Sequence, residues 1–144
     1  MDAAGWVCSG KWGDNLMRAI ATGFFVTAIG YGLLGIVLGL DMAIRHDHAQ
    51  MPTHAHIMVI GWLSFAVFAF FYFQMGAAAP RWLARVHFWL AQLSLAVLVV
   101  ALWLIYAGRT QFDPLAGIGA TGYAVSFLVF AVVALKTLSR RAPA

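Results

Sequence analysis

Four long apolar runs, at 16–40, 54–79, 86–107 and 115–135, constrain this chain more than anything else in it. Each is near the ~20 residues that a helix needs to cross the hydrocarbon of a bilayer. Arg18, at the edge of the first run, is the one Lys or Arg in any of them, and no Asp or Glu falls inside one. The runs are apolar on all sides, as helices that touch both lipid and protein must be. Barrel strands would show as many short alternating segments, and the sequence has none. The connections are short, Asp41–Thr53, Pro80–Arg85 and Gly108–Pro114, so consecutive helices are expected to be antiparallel neighbours in a single transmembrane domain over 1–144. Composition agrees: 63% of residues are hydrophobic and 10% charged, where a soluble domain is nearer ~45–50% and ~25%. The expectation is an all-α, integral membrane four-helix bundle.

The net charge of +4 suits membrane topology better than nucleic acid. No basic cluster exceeds Arg140-Arg141, too little to line a groove for a polyanion. Lys11, Arg18, Arg81, Arg85, Lys136, Arg140 and Arg141 fall on one side of the expected bundle, and only Arg45 and Arg109 on the other. The positive-inside bias predicts cytoplasmic N- and C-termini and an external first loop. The N-terminus lacks the basic start and prompt apolar run of a cleaved signal peptide. Cys8 stands alone, which excludes an intramolecular disulfide, an all-Cys metal site and c-type haem attachment. Trp6, Trp12, Trp82, Trp89, Trp103 and Tyr106 lie mostly near span ends, as interfacial aromatic belts do, whereas Trp62 lies deeper.

Gly23, Gly30, Gly32, Gly35 and Gly39 mark the first span, and Gly117, Gly119 and Gly122 open the fourth. Small residues let helices approach closely in lipid. Glycines can also clear room for a flat cofactor, and composition does not separate the two uses.

Chemistry concentrates in the histidines. His46, His48, His54 and His56 fall within eleven residues, and His87 opens the third span. Imidazole is the usual ligand of haem iron and a good one for copper or zinc. It is costly in hydrocarbon unless something uses it. His54 and His56 are expected in the first turns of the second helix, after Pro52 and a possible cap at Thr53. At ~100° per residue they point about 200° apart, so one metal ion cannot easily take both, whereas two partners on opposite faces can. The competing reading is an interfacial pair bonded to water and loop carbonyls. His46 and His48 belong to a polar loop with Asp47; they are either solvated or, with His54, part of an external copper or zinc site. His87 is expected at the cytoplasmic edge, anchoring the helix end or ligating a group of its own. No carboxylate lies within a span to serve a proton relay, and no phosphate loop is present.

The stretch HAHIMVIGWLSFAVFAFFYF, followed by RWLARVHFWLAQLSLAVLVVALWLIYAG, resembles the catalytic subunit I of haem–copper oxidases, above all the cbb-type oxidases and the related nitric oxide reductases. The whole chain is also similar to small, four-helix, oxidase-subunit-I-like proteins of bacteria, with the likeness covering roughly 16–107. The resemblance implies one four-helix arc of the subunit I fold, in a bacterial inner (cytoplasmic) membrane. It matches His54 to the ligand of the high-spin haem and His56 to that of the low-spin haem. Gly61 and Trp62 match a Gly-Trp pair, while His87, Phe88 and Trp89 match a His-Phe-Trp opening, which makes His87 a candidate for a further haem iron. The large subunit has about twelve helices in three arcs, an adjacent His-His pair and a copper-binding helix with a crosslinked Tyr. This chain has four spans and neither of those features, so the resemblance implies haem b binding ahead of an oxygen- or nitric-oxide-reducing centre.

Three functions follow as expectations, beside a structural or accessory membrane protein without a cofactor. The first is a membrane haem b protein for electron transfer, gas sensing or haem handling through His54/His56. The second is a small oxidoreductase toward O₂ or NO. The third is a non-haem copper or zinc binder using His46, His48, His54 and His56. The three-arc arrangement implies a homotrimer rebuilding the ring, with a dimer as the rival.

Overall fold

The computed structural model describes the backbone of residues 4–140 and the side chains of residues 15–140. The side chains of Trp6, Cys8, Lys11, Trp12 and Arg141 lie outside the described residues. Four helical rods make up the described residues. Helix α1 is Ala4–Arg45. Helix α2, residues 51–75, comprises an α-helical start at Met51–His56, a π-helical stretch at Ile57–Ser64 and an α-helix at Phe65–Met75. Helix α3 is Arg81–Tyr106 and α4 is Asp113–Ser139. All four are long and apolar enough to span a membrane, and only 22–33% of each span's most apolar window is buried within the chain. The rest, including Phe25, Leu33, Phe70, Phe73, Leu128 and Leu135, faces outward as apolar surface that lipid covers. The protein is an all-α, four-helix, multi-pass integral membrane bundle.

Helices α1 and α2 pack along one seam and α3 and α4 along another, and α1 also touches α3. The first seam is built on glycine. A Cβ at Gly32 would strike the Trp62 ring, one at Gly35 the Met58 thioether, and one at Gly39 the His54 ring at 2.9 Å. In return, a Cβ at Gly61 would stand 2.6 Å from Cγ of Tyr31. Tyr31-Gly32 on α1 and Gly61-Trp62 on α2 thus exchange ring for glycine. The α1 glycines serve helix packing within the chain, as small residues do in lipid; Gly30 and Gly117 alone of the glycines within the spans meet open space.

Between the two pairs lies an aromatic core. Phe24 meets Phe65 and Phe88 at 5.2 and 4.9 Å, and Phe68 meets Phe130 at 4.5 Å. Such pairs contribute about 0.5–1.5 kcal/mol each beyond area burial. Gln92 Nε2 donates to Thr27 Oγ1 at 2.8 Å, a polar clasp from α3 to α1 inside the membrane.

The helix ends have explicit chemistry. After α3, Gly108 takes φ +87°, Arg109 N–H donates to Leu104 O and Gly108 N–H to Ile105 O, both at 2.9 Å. That is a Schellman stop, with glycine at the left-handed position. Helix α1 ends in the same pattern with His46 in that position: φ is 54°, Asp47 N–H donates to Met42 O at 3.2 Å and His46 N–H to Ala43 O at 3.4 Å. A left-handed residue with a Cβ costs about 1 kcal/mol or more.

Candidate functional site

Helix α2 begins at Met51, with Gln50 in the cap position and no side-chain cap. The expected cap, Thr53, is instead fully buried inside the first turn, where its hydroxyl donates to Gln50 Oε1 at 2.7 Å. Pro52 explains the early start, because a helix's first-turn N–H groups have no intrahelical acceptor and proline lacks one without loss. Gln50 Nε2 in turn donates to Trp103 O on α3 at 3.2 Å, tying the start of α2 to the end of α3.

These contacts fix His54 and His56 within the α-helical first segment, ahead of the π-helical stretch. Nδ1 of His54 lies 3.0 Å from the carbonyl oxygen of Gly35 on α1, and the ring rests over Gly39. Nδ1 of His56 lies 2.7 Å from the carbonyl oxygen of Pro52, one turn back on its own helix. A carbonyl oxygen only accepts, so each Nδ1 carries the proton and donates it. In the neutral imidazole the lone pair is then on Nε2. Both histidines are half-buried. His54 is turned to α1, while His56, two residues on, lies about 200° further around the helix. Two imidazoles with the same tautomer thus serve different sides of α2. A π-helical segment begins at the very next residue and includes Gly61 and Trp62; such segments recur at functional sites. There Ser64 Oγ donates to Val59 O, five residues back, at 2.9 Å.

The other histidines are placed apart. His46 and His48 are exposed in the loop after α1. His46 stops the helix, and Asp47 closes an Asx turn by accepting Ala49 N–H at 2.9 Å. Among the described residues, no three His, Cys, Asp or Glu side chains come together as a metal site. His46, His48 and His54 therefore stand without the shared geometry that an external copper or zinc centre needs.

His87 is not at a helix start. Helix α3 begins at Arg81, so His87 sits ~9 Å along it. It is fully buried, with Phe68, Phe24 and Phe130 rings at 4.6, 5.1 and 5.3 Å. Its Nδ1 pairs with the Tyr72 hydroxyl at 3.0 Å, and its buried Nε2 has no partner. If Tyr72 O–H donates to Nδ1, one buried group, the Nε2–H, is left unpaired; the reverse arrangement strands both the phenol proton and the Nε2 lone pair. The first arrangement is favoured, since each stranded group costs about 1–3 kcal/mol. Tyr72 is eighteen residues beyond His54 on α2, which separates the two ends by about 25 Å at helical rise. Tyr72 as the partner of His87 was not legible from spacing. Nor was the Asp41–Arg45 ion pair at 2.7 Å, an i,i+4 pair, because the apolar run ends at Leu40 while α1 continues to Arg45.

The fold and these residues define a four-span helical membrane protein with two carbonyl-bonded histidines at one end of one helix. Over 117 residues the chain is 36% identical to cytochrome c oxidase polypeptide 1 of Halobacterium salinarum (strain ATCC 700922 / JCM 11081 / NRC-1). The match takes in 74% of this chain and 20% of that protein, so the chain spans about a fifth of the length of this curated relative. The similarity is to part of a haem–copper oxidase family member. No protein-family model and no solved structure matches the chain.

Proposed function

We propose that this chain is a membrane-embedded haem b protein, acting in electron transfer, gas sensing or haem handling through His54 and His56. One observation carries the reading: each Nδ1–H is committed to a backbone carbonyl, which leaves Nε2 as the free donor. That second-sphere bond is the one that iron- and zinc-ligating histidines ordinarily have, since it sets the tautomer, orients the ring and raises ligand basicity. The residues present therefore fit an axial-ligand role. Bound haem, held by His54 or His56, would supply a one-electron iron couple and a site for a diatomic gas. The chain's own part is to hold the rings: Gly35 O and Gly39 seat His54 on α1, and Pro52 O fixes the His56 ring one turn along from it. Gly61 and Trp62 couple that segment to α1 by the ring-for-glycine exchange. Tight aromatic packing around His87 leaves it out of this ligand set.

The similarity to a cytochrome c oxidase polypeptide supports a fold corresponding to one four-helix arc of oxidase subunit I. With His54 and His56 about 200° apart around α2, a single bundle leaves one histidine unused. A homotrimer, with a dimer as the rival, would bring a neighbouring chain to that histidine and link haem occupancy to assembly. The charge bias supports cytoplasmic termini, and the setting we propose is a bacterial inner membrane, as the oxidase-like resemblance implies. The reading requires no turnover of O₂ or NO. The copper or zinc alternative draws no support from the loop, where His46 and His48 are apart from any third ligand.

The test is an optical spectrum of detergent-purified variants. His56→Ala should remove or severely alter low-spin α and β bands, and His54→Ala should perturb the Soret band. His46→Ala and His48→Ala should match wild type. Wild-type spectra from both His54→Ala and His56→Ala would defeat the assignment.

A further inference from the structure

At the end that carries the first loop, a groove of about 580 Å³ lies between α1 and α3, with Ile57 of α2 also in its lining. Its walls are apolar, with Leu34 and Leu38 from α1 and Val99 and Trp103 from α3, and Asp41 and Arg45 stand at its mouth. The groove follows α1 from Leu34 to Arg45, eleven residues, or ~16 Å at helical rise. One leaflet of a ~30 Å hydrocarbon layer is about that deep. Arg45 is the last residue of its span, and a polar loop follows it, so the mouth is at the interface.

The mouth carries both signs of charge. Arg45 Nε donates to Asp41 Oδ1 at 2.7 Å, and the two side chains remain 71% and 47% exposed. The terminal guanidinium nitrogens and the second carboxylate oxygen have no partner among the described residues. A donor fork for a phosphate therefore stands beside an acceptor for an ammonium group.

We propose that this groove binds one phosphatidylethanolamine of the loop-side leaflet, with an acyl chain between α1 and α3, its phosphate on Arg45 and its ammonium on Asp41. Charge complementarity selects this headgroup. Phosphatidylglycerol offers nothing positive to Asp41, and the quaternary amine of phosphatidylcholine has no N–H to donate. The proposal rests on membrane embedding alone and is independent of the haem reading.

Native mass spectrometry of delipidated full-length protein in mild detergent, titrated with each lipid in a 16-carbon form, tests it. One phosphatidylethanolamine per chain should be retained in preference to phosphatidylglycerol and phosphatidylcholine. Arg45→Gln should weaken retention at least about tenfold, as loss of a charge-assisted contact does. Asp41→Asn, a change at an exposed side chain, should abolish the preference over phosphatidylglycerol. Val99→Trp should fill the groove and remove the bound lipid, with an unchanged circular dichroism spectrum showing that the bundle is intact. Equal retention of all three lipids in wild type and Asp41→Asn would overturn the headgroup assignment and with it the proposal. So would an oligomer that binds no lipid and that Val99→Trp dissociates, because the groove would then be covered by a second copy.

Discussion

Gly119→Ala is the substitution whose cost the structure sets most sharply. A Cβ there would stand 2.7 Å from Leu98 N and 2.8 Å from Leu98 Cα, where ordinary contact begins near 3.4 Å. The obstacle is backbone, which cannot swing aside as a side-chain tip does, so α4 must withdraw from α3 by roughly 0.7 Å. Overpacking of that kind costs about 1–3 kcal/mol. Gly30→Ala is the matched control, because its new Cβ meets nothing within 4 Å. Both variants share the same gain in helix propensity, about 1 kcal/mol at most, which cancels between them. At about 3–4 °C per kcal/mol for a chain of this size, Gly119→Ala should melt about 3–12 °C below Gly30→Ala. Thermal unfolding followed by circular dichroism in mild detergent reads the difference. If Gly119→Ala melts at or above the control, the close approach of α3 and α4 is wrong.

Three further outcomes follow from the packing. Tyr72→Phe leaves His87 buried with neither nitrogen paired and should destabilise by about 1–3 kcal/mol in the same assay, whereas adding His87→Leu should recover much of that; a double variant as unstable as Tyr72→Phe would contradict the pairing. His46→Gly relieves the left-handed residue after α1 and should raise stability by up to about 1 kcal/mol, with destabilisation counting against a helix stop at that position. For topology, an Ala49→Cys variant in a Cys8→Ser background should react with a membrane-impermeant thiol reagent in intact cells, and Cys8 in wild type should not; the opposite pattern reverses the orientation.

The four spans were legible because a bilayer demands long apolar runs free of charge, a requirement that composition alone reveals. Helix starts were less so. Thr53 has the chemistry of a cap, but Pro52 is already suited to a first turn, and the Gln50 link to Trp103 decided the matter from outside the segment. The π-helical stretch at Ile57–Ser64 left no trace in an unbroken apolar run. Glycines announced close packing but not their partners. The opposite directions of His54 and His56 come from helix geometry alone, whereas the carbonyl that fixes each tautomer lies on α1 in one case and a turn back in the other. His87 was the least legible. Its place near a span end suggested an interfacial residue, yet α3 starts five residues before the apolar run and draws His87 into the aromatic core.

The central claim is that this bundle holds haem b on histidines preset to offer Nε2. Pyridine haemochrome analysis of wild-type protein, expressed with ample haem and purified in mild detergent, tests it most directly. A b-type spectrum at stoichiometric load, lost when His54 and His56 are both replaced by Ala in a protein that still folds, is the expected result. A wild-type protein that carries only trace haem, or a double variant that keeps its full load, would contradict the account.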